Sequence, residues 1–95
     1  KIKFMQEFPI LNAEQVAVIR AESGTGHILD DKFNLAIDDE QKVYTIFDTT
    51  KDALVFVEKE LIKRQGFDLS IFDQAQNLLY YFQSIKDFNS QFRYK

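Results

Sequence analysis

The chain has 95 residues, the size of one compact domain, and 45% of them are hydrophobic, which excludes a compositionally disordered chain. Twelve Lys and Arg against fifteen Asp and Glu leave a net charge of −3, which argues against a surface that follows nucleic-acid phosphates. Because there is no cysteine, disulfides, thiolate metal sites and cysteine nucleophiles are excluded as well.

The first predicted element is a strand over residues 1–8. Hydrophobic and polar side chains alternate in this stretch, and one face carries Ile2, Phe4 and Phe8. Pro9 ends the strand, because proline cannot donate to a strand ladder. Since the first residue is Lys rather than Met, we expect a trimmed or processed chain.

A short helix over Ala13 to Ala21 is the second predicted element. Asn12 is a suitable N-cap, and Gln15 follows three positions later, as in a capping box. The competing interpretation is a strand, because the run Val16-Ala17-Val18-Ile19 is rich in β-branched residues. The helix is the preferred interpretation.

Three strands are predicted in the middle of the chain, after a loop that contains Gly24 and Gly26. Their ranges are around His27 to Leu29, Phe33 to Ile37, and Lys42 to Phe47. Short acidic turns separate the three ranges. Such turns join antiparallel neighbours, so the segment predicts a meander.

The clearest element is a helix over Thr49 to Arg64. Thr49 is a good N-cap, and Asp52 places a negative charge in the first turn, where the helix dipole favours it. Glu60 and Arg64 form an i,i+4 pair of favourable orientation. Gly66 follows as the left-handed residue that stops the helix.

The last third of the chain predicts a hairpin with strands Phe67 to Phe72 and Leu78 to Phe82, joined by a polar turn. The tail, residues 83–95, is expected to be a short helix or a partly mobile end. Residues 1–82 are expected to form one small α+β domain of two layers. Its antiparallel sheet has about five to six strands in the order β-α-β-β-β-α-β-β, with one main helix packed on one face.

The main helix carries more apolar surface than two layers need. At about 100° per residue, Leu54, Val57 and Leu61 share one face, which we assign to the core. Phe56 lies about 200° from Leu54, on the side expected to face water. A single exposed Phe is not rare, so an ordinary surface residue is the alternative.

The predicted strands 42–47 and 78–82 are apolar on both faces, although a sheet covered on one side should alternate. The second face could be covered by the N-terminal helix, by another chain, or by the tail with Ile85, Phe88 and Phe92. Ordering a tail costs about 1–2 kcal/mol per residue, and three apolar anchors hardly offset that cost. We therefore favour another chain.

No recognisable catalytic or metal-binding pattern is present. The segment Glu22 to His27 brings together glycines, hydroxyls and the single histidine, but it lacks the phosphate-loop and nucleophile-elbow motifs, so we interpret it as a loop. The acidic turns lack the spacing of a calcium loop, and one histidine without cysteine is too poor a set for structural zinc. We expect no enzyme activity, no cofactor, and neither a nucleic-acid nor a membrane partner.

The leading hypothesis is a non-catalytic protein-interaction module with an exposed apolar and aromatic surface ringed by acids. The expected contact residues are Phe56, Tyr80, Tyr81, Phe88 and Phe92. The partner is a second copy or another protein, and bacterial accessory, inhibitor and immunity-type proteins share this general shape. The alternative is a small-molecule-binding domain with an aromatic-lined pocket between sheet and helix. We expect a soluble protein and favour the cytoplasm, although a chain without cysteine suits either redox compartment.

Overall fold

The computed structural model of the chain describes residues 7–84. This part of the chain contains β1 (Val16–Glu22), β2 (Ile28–Leu29), β3 (Thr45–Phe47), α1 (Thr50–Lys63), β4 (Phe67–Phe72) and β5 (Leu78–Gln83). An antiparallel five-stranded sheet with one packed helix confirms the predicted α+β class. The strand predicted over residues 1–8 lies outside the described residues except for its last two, which are not in a strand.

β1 is the strand around which the sheet is built. One of its edges pairs along nearly its whole length with β4, which pairs in turn with β5. The other edge is shared, because β3 pairs with Val16 to Val18 and β2 pairs with Arg20 and Ala21. All these pairings are antiparallel, and β5 lies at the end of the sheet that residues 7–84 form.

The helix predicted over Ala13 to Ala21 is wrong, and the competing interpretation as a strand is right. The capping-box contact does form, since the side-chain oxygen of Gln15 accepts a hydrogen bond from the Asn12 N–H at 2.9 Å. The chain nevertheless continues as β1, which hydrogen-bonds to neighbours on both edges and buries Ala17 and Val18 completely. Long-range pairing therefore overrides the local helix signal.

The predicted meander is only partly right. β2 and β3 fall inside two of the predicted ranges, but the strand expected over Phe33 to Ile37 is reduced to one isolated bridge between Leu35 and Leu29. Phe33 has a left-handed backbone with φ of 66°, which an extended strand does not allow. The side chain of Asp30 holds this tight turn by accepting the N–H groups of Lys32 and Asn34 at 2.8 and 2.9 Å.

The main helix forms where its caps predict it. The Thr49 hydroxyl oxygen accepts the Asp52 N–H at 3.1 Å, which is the expected N-cap contact. Glu60 lies 3.3 Å from Arg64 as the expected ion pair, and Gly66 takes the left-handed backbone with φ of 89°. These local signals agree with the packing of the helix on the sheet, so the prediction is confirmed.

α1 covers one face of the sheet and forms the core with it. The helix contributes Ala53, Val57 and Leu61, which lie at i, i+4 and i+8 and are nearly completely buried. The sheet contributes Val16, Val18, Leu29, Phe67, Leu69 and Ile71. Burial of these side chains is the main source of stability of the domain.

The predicted hairpin is confirmed as β4 and β5. Its turn is closed by Asp73, whose side chain accepts the N–H groups of Ala75 and Asn77 at 2.9 and 2.8 Å. A β-bulge interrupts the pairing next to the turn: Ile71 pairs with Tyr80 and Phe72 pairs with Leu78, which leaves Leu79 as the extra residue. The bulge sets the spacing of the residues at the outer edge.

Candidate interaction surface at the sheet edge

β5 is an edge strand with unusual exposure of apolar side chains. Four of its six residues are large, hydrophobic and 41–54% exposed, namely Leu78, Leu79, Tyr80 and Tyr81. The strand carries neither a charge nor a proline. Edge strands in soluble proteins are usually protected by such residues, because an open edge can pair with another chain.

The backbone of β5 has hydrogen-bonding groups directed away from the sheet. In an antiparallel ladder, consecutive residues alternate between bonding to the inner neighbour and pointing outward. The Ser84 N–H donates to the Phe67 carbonyl at 2.8 Å, and the Asp73 N–H donates to the Asn77 carbonyl at 3.0 Å, so these two pairs bond within the hairpin. If the alternation is followed along β5 from each of these two pairs, and the bulge residue Leu79 is left out, the residues whose backbone groups point outward are Leu78, Tyr81 and Gln83. Within residues 7–84, no strand pairs with this edge.

Tyr81 is fixed at the centre of this edge. Its hydroxyl donates to Asp68 Oδ2 at 2.7 Å, and Ser23 Oγ donates to the other oxygen of the same carboxylate at 2.7 Å. The hydrogen bond to Asp68, together with partial desolvation, raises the pKa of Tyr81. A ring held in one position loses little conformational entropy on binding, which favours its use as an anchor.

Tyr80 points to the opposite face of the sheet from Tyr81. It pairs with Ile71, which lies on the face covered by α1, and its ring stacks on Phe82 with 6.0 Å between centroids and 8° between planes. Tyr81 pairs with Ser70 on the other face. The two tyrosines predicted as contact residues therefore share the edge of the sheet and not a single face.

Phe56 is partly buried against the core, contrary to the expectation that it faces water. Its ring packs 5.1 Å from that of Phe47 against the core, and it lies 5.7 Å from the guanidinium carbon of Arg20. The exposed apolar residues of α1 are instead Val55 and Ile62. The ring contacts of Phe56 are with Phe47 and Arg20 and not with β5, so the structure does not bring Phe56 together with Tyr80 and Tyr81.

Phe88 and Phe92, the remaining predicted contact residues, lie outside the described residues. Sequence reasoning missed Leu78 and Leu79 as members of the exposed surface. The signal that could have found them is the composition of β5, which has apolar residues on both faces, no charge, and the last position in the predicted hairpin.

Arg20 is a buried charge beneath the loop between β2 and β3. It is 3% exposed, and its Nη2 donates to the Thr45 hydroxyl at 2.6 Å. Among the described residues, Nε and Nη1 have no hydrogen-bond partner. The rings of Phe33 and Phe56 lie 5.6 and 5.7 Å from the guanidinium carbon, and burial lowers the pKa of Arg20.

The carboxylate of Asp30 accepts the hydrogen bonds that hold the loop around Phe33. Gln41 Nε2 donates to its carboxylate at 2.8 Å, and this bond, with the backbone N–H of Asn34, lowers the pKa of Asp30 below its ordinary value of 3.8. A carboxylate whose pKa is lowered in the folded state stabilises the fold at pH values above its ordinary pKa. This contribution is lost as the pH falls through the lower, folded-state pKa.

We therefore expect the free energy of unfolding of the native chain to fall more steeply below about pH 4 than that of Asp30→Asn. Urea unfolding at a series of pH values measures both profiles. Glu14→Gln, which changes an exposed carboxylate outside the loop, serves as the matched control. Parallel profiles for the native chain and Asp30→Asn would show that the Asp30 contacts contribute nothing to acid sensitivity.

A shallow depression lies on the face of the sheet opposite α1. It has a volume of about 360 Å³ and is lined by Phe8, Ile19, Tyr44, Phe72 and Gln76. The Phe8 ring packs edge-on against Tyr44 and Phe72, so the segment before β1 covers part of this face. The space between sheet and helix, where the alternative hypothesis expected a pocket, is occupied by core side chains.

The loop Glu22 to His27 connects β1 and β2 as a short hairpin. The Glu22 N–H donates to the His27 carbonyl at 2.8 Å, and the two side chains approach to 3.8 Å while both remain largely exposed. Residues 7–84 contain no group of three or more His, Cys, Asp or Glu side chains arranged to hold a metal ion.

The chain was also compared with membrane-spanning helices and with known proteins. None of the helices in the described part of the chain has the length and apolar character needed to cross a bilayer. Comparison with protein-family models, with curated proteins and with solved structures finds no significant match to this chain.

Proposed function

We propose that this chain is a non-catalytic protein-interaction module that binds an extended segment of a polypeptide along β5. The observation that carries the proposal is the combination, on one edge strand, of outward backbone groups with half-exposed apolar side chains and no charge. In this mode of recognition, main-chain hydrogen bonds supply affinity and the side chains on the two faces supply specificity.

The side chains of β5 suit an anchor role on both faces of an added strand. Tyr81 is oriented by Asp68 on one face, and the stacked pair of Tyr80 and Phe82 offers a broad apolar surface on the other. Tyrosine is enriched among residues that dominate binding energy, because its ring is large and its hydroxyl tolerates water. The geometry favours this function over a small-molecule site between helix and sheet, since that space is filled by the core.

A displayed library of random peptides provides the test, with immobilised native protein as bait. We expect the enriched peptides to bind Tyr81→Lys at least about tenfold more weakly than the native chain, a loss of about 1.4 kcal/mol. The lysine places a charge at the centre of the edge, which opposes strand addition.

Ile62→Lys is the matched control, because Ile62 is 65% exposed on α1 and lies away from β5. Enriched peptides that bind Tyr81→Lys as tightly as the native chain would refute the proposed surface. Loss of binding only in Ile62→Lys would move the interaction surface to the exposed side of α1.

A further inference from the structure

We propose that the extended segment bound along β5 is β5 of a second copy of this chain, in antiparallel pairing about a twofold axis at Tyr81. This inference rests on the proposed function and specifies its partner. The two sheets would join into one continuous sheet, with both copies of α1 on the same face.

The backbone of the outer edge is self-complementary about Tyr81. The outward-directed residues Leu78, Tyr81 and Gln83 lie opposite Phe72, Ser70 and Asp68 of β4, so the bulge at Leu79 leaves them evenly spaced. A twofold axis at the middle residue places Tyr81 opposite its own copy and Leu78 opposite Gln83 of the second copy. All outward donors and acceptors are then paired.

Neighbouring registers leave part of the edge unpaired. An axis at Phe82 pairs Tyr81 with Gln83 of the second copy but leaves the outward groups of Leu78 without a partner among residues 7–84 of that copy. An axis at Tyr80 pairs Tyr81 with Leu78 of the second copy and leaves the outward backbone groups of Gln83 without a strand partner. Buried backbone groups without partners are costly, so the axis at Tyr81 is the favoured register.

The side chains fit the same register. On the face of α1, the axis at Tyr81 places Tyr80 opposite Phe82 of the second copy, at a position where cross-strand side chains approach closely. The stacked pairs of Tyr80 and Phe82 from the two copies would then lie side by side as a cluster of four rings. On the other face, the two Tyr81 residues lie opposite each other, and each hydroxyl keeps its bond to Asp68 of its own copy.

Charge favours a second copy over a partner of a different kind. Any charge near the axis would face the same charge in the other copy, and β5 has none among its six residues. An uncharged strand offers no ion pairs by which it could select a charged partner. Because one strand edge is small beside the roughly 800 Å² per partner of a stable complex, we expect a dimer that dissociates on dilution.

A cysteine at the axis gives the first test, since the chain has no other cysteine. Residues directly opposite in a hydrogen-bonded pair have Cα atoms about 5.5 Å apart, which is within the reach of a disulfide. Under mild oxidation, Tyr81→Cys is expected to become mostly disulfide-linked dimer. Tyr80→Cys and Ile62→Cys are the controls and should remain monomeric on a denaturing gel. The two copies of residue 80 would lie about 8 Å apart, beyond disulfide reach.

A charge exchange at the same position gives the second test and does not depend on a disulfide. Tyr81→Lys and Tyr81→Glu should each dissociate at least about tenfold more readily than the native dimer, because each opposes like charges across the axis. A mixture of the two variants should recover association as a mixed dimer. Only a strand that meets its own copy at residue 81 predicts this recovery.

Light scattering of the native chain over a wide range of concentration decides between the outcomes. A mass that rises from 11.2 kDa towards twice that value supports the dimer when the Tyr81→Cys disulfide also forms. A constant mass of 11.2 kDa overturns the second copy as partner, and peptide binding that depends on Tyr81 would still support the proposed function. If Tyr81→Lys remains a dimer and Tyr81→Cys forms no disulfide, the pairing through β5 is overturned.

Discussion

Leu69→Ala is expected to lower the free energy of unfolding by about 3 kcal/mol. Leu69 is completely buried in β4, where it pairs with Arg20 of β1 on one side and with Phe82 of β5 on the other. Truncation removes apolar contacts and leaves a cavity that neighbours in a hydrogen-bonded sheet cannot close. A small domain has only about 5–15 kcal/mol of stability, so this variant should unfold at a much lower urea concentration.

Leu78→Ala is the matched control for this measurement. It makes the same chemical change in the neighbouring strand, but Leu78 is 54% exposed. Its loss of stability should stay below about 1 kcal/mol, because little buried area is removed. Equal losses in the two variants would contradict the placement of Leu69 in the core and Leu78 at the edge.

Arg20→Ala and Arg20→Met are expected to differ in stability by about 2–4 kcal/mol, with the methionine variant the more stable. Methionine fills the space between the rings of Phe33 and Phe56 and contacts them through its sulfur. It also removes a buried charge that has two nitrogens without partners in the described part of the chain. Alanine removes the charge as well but leaves a cavity beneath both rings.

The methionine variant should therefore be at least as stable as the native chain in urea unfolding. A buried ionic group can often be replaced by an apolar one of similar volume without loss. Thr45→Val is a useful control, because it removes the only hydroxyl that Arg20 contacts in the described residues while preserving volume. If Arg20→Met were as unstable as Arg20→Ala, the guanidinium itself would be required for the fold.

The sequence was sufficient to predict α1 and the β4–β5 hairpin because their signals are local. The Thr49 cap and the Gly66 stop bound the helix, and each contact is made within a few residues along the chain. The turn around Asp73 is likewise held by its own side chain. Here local preference and global packing agree.

The residues of β1 and those just before it allowed both a helix and a strand and did not decide between them. Its neighbours β3 and β4 lie far along the chain, and their hydrogen bonds determine that Val16 to Glu22 is extended. The contact between Asn12 and Gln15 that predicts a helix start also suits a turn before a strand. The predicted strand over Phe33 to Ile37 failed for a different, local reason: the side chain of Asp30 holds a turn that places Phe33 in a left-handed conformation.

The misplacement of Phe56 has a geometric cause. The helical wheel was centred on Leu54, whereas the buried stripe consists of Ala53, Val57 and Leu61. With Val57 as the origin, Phe56 lies about 100° away, at the flank where it meets the sheet. Only the packing shows which stripe is central, so hydrophobicity alone assigned the wrong side to Phe56.

The candidate surface was predicted in part. Tyr80 and Tyr81 were selected because the last strand is apolar on both faces, but the sequence does not show that β5 ends the sheet. The bulge at Leu79, which determines the spacing of the outward groups, depends on pairing with β4 and leaves no signature in the six residues of β5.

The pairing of β1 with β4 has a consequence for folding. β1 comes early in the chain, yet β4, its longest partner, begins at Phe67 and follows α1. During synthesis, the edge of β1 that pairs with β4 therefore stays open until β4 has been made, whereas β2 and β3 are made earlier and pair with the other edge. Closing the long loop between β1 and β4 costs conformational entropy, which slows folding of the domain. Chaperones that bind extended hydrophobic segments would meet this chain at β1, well before its edge strand exists.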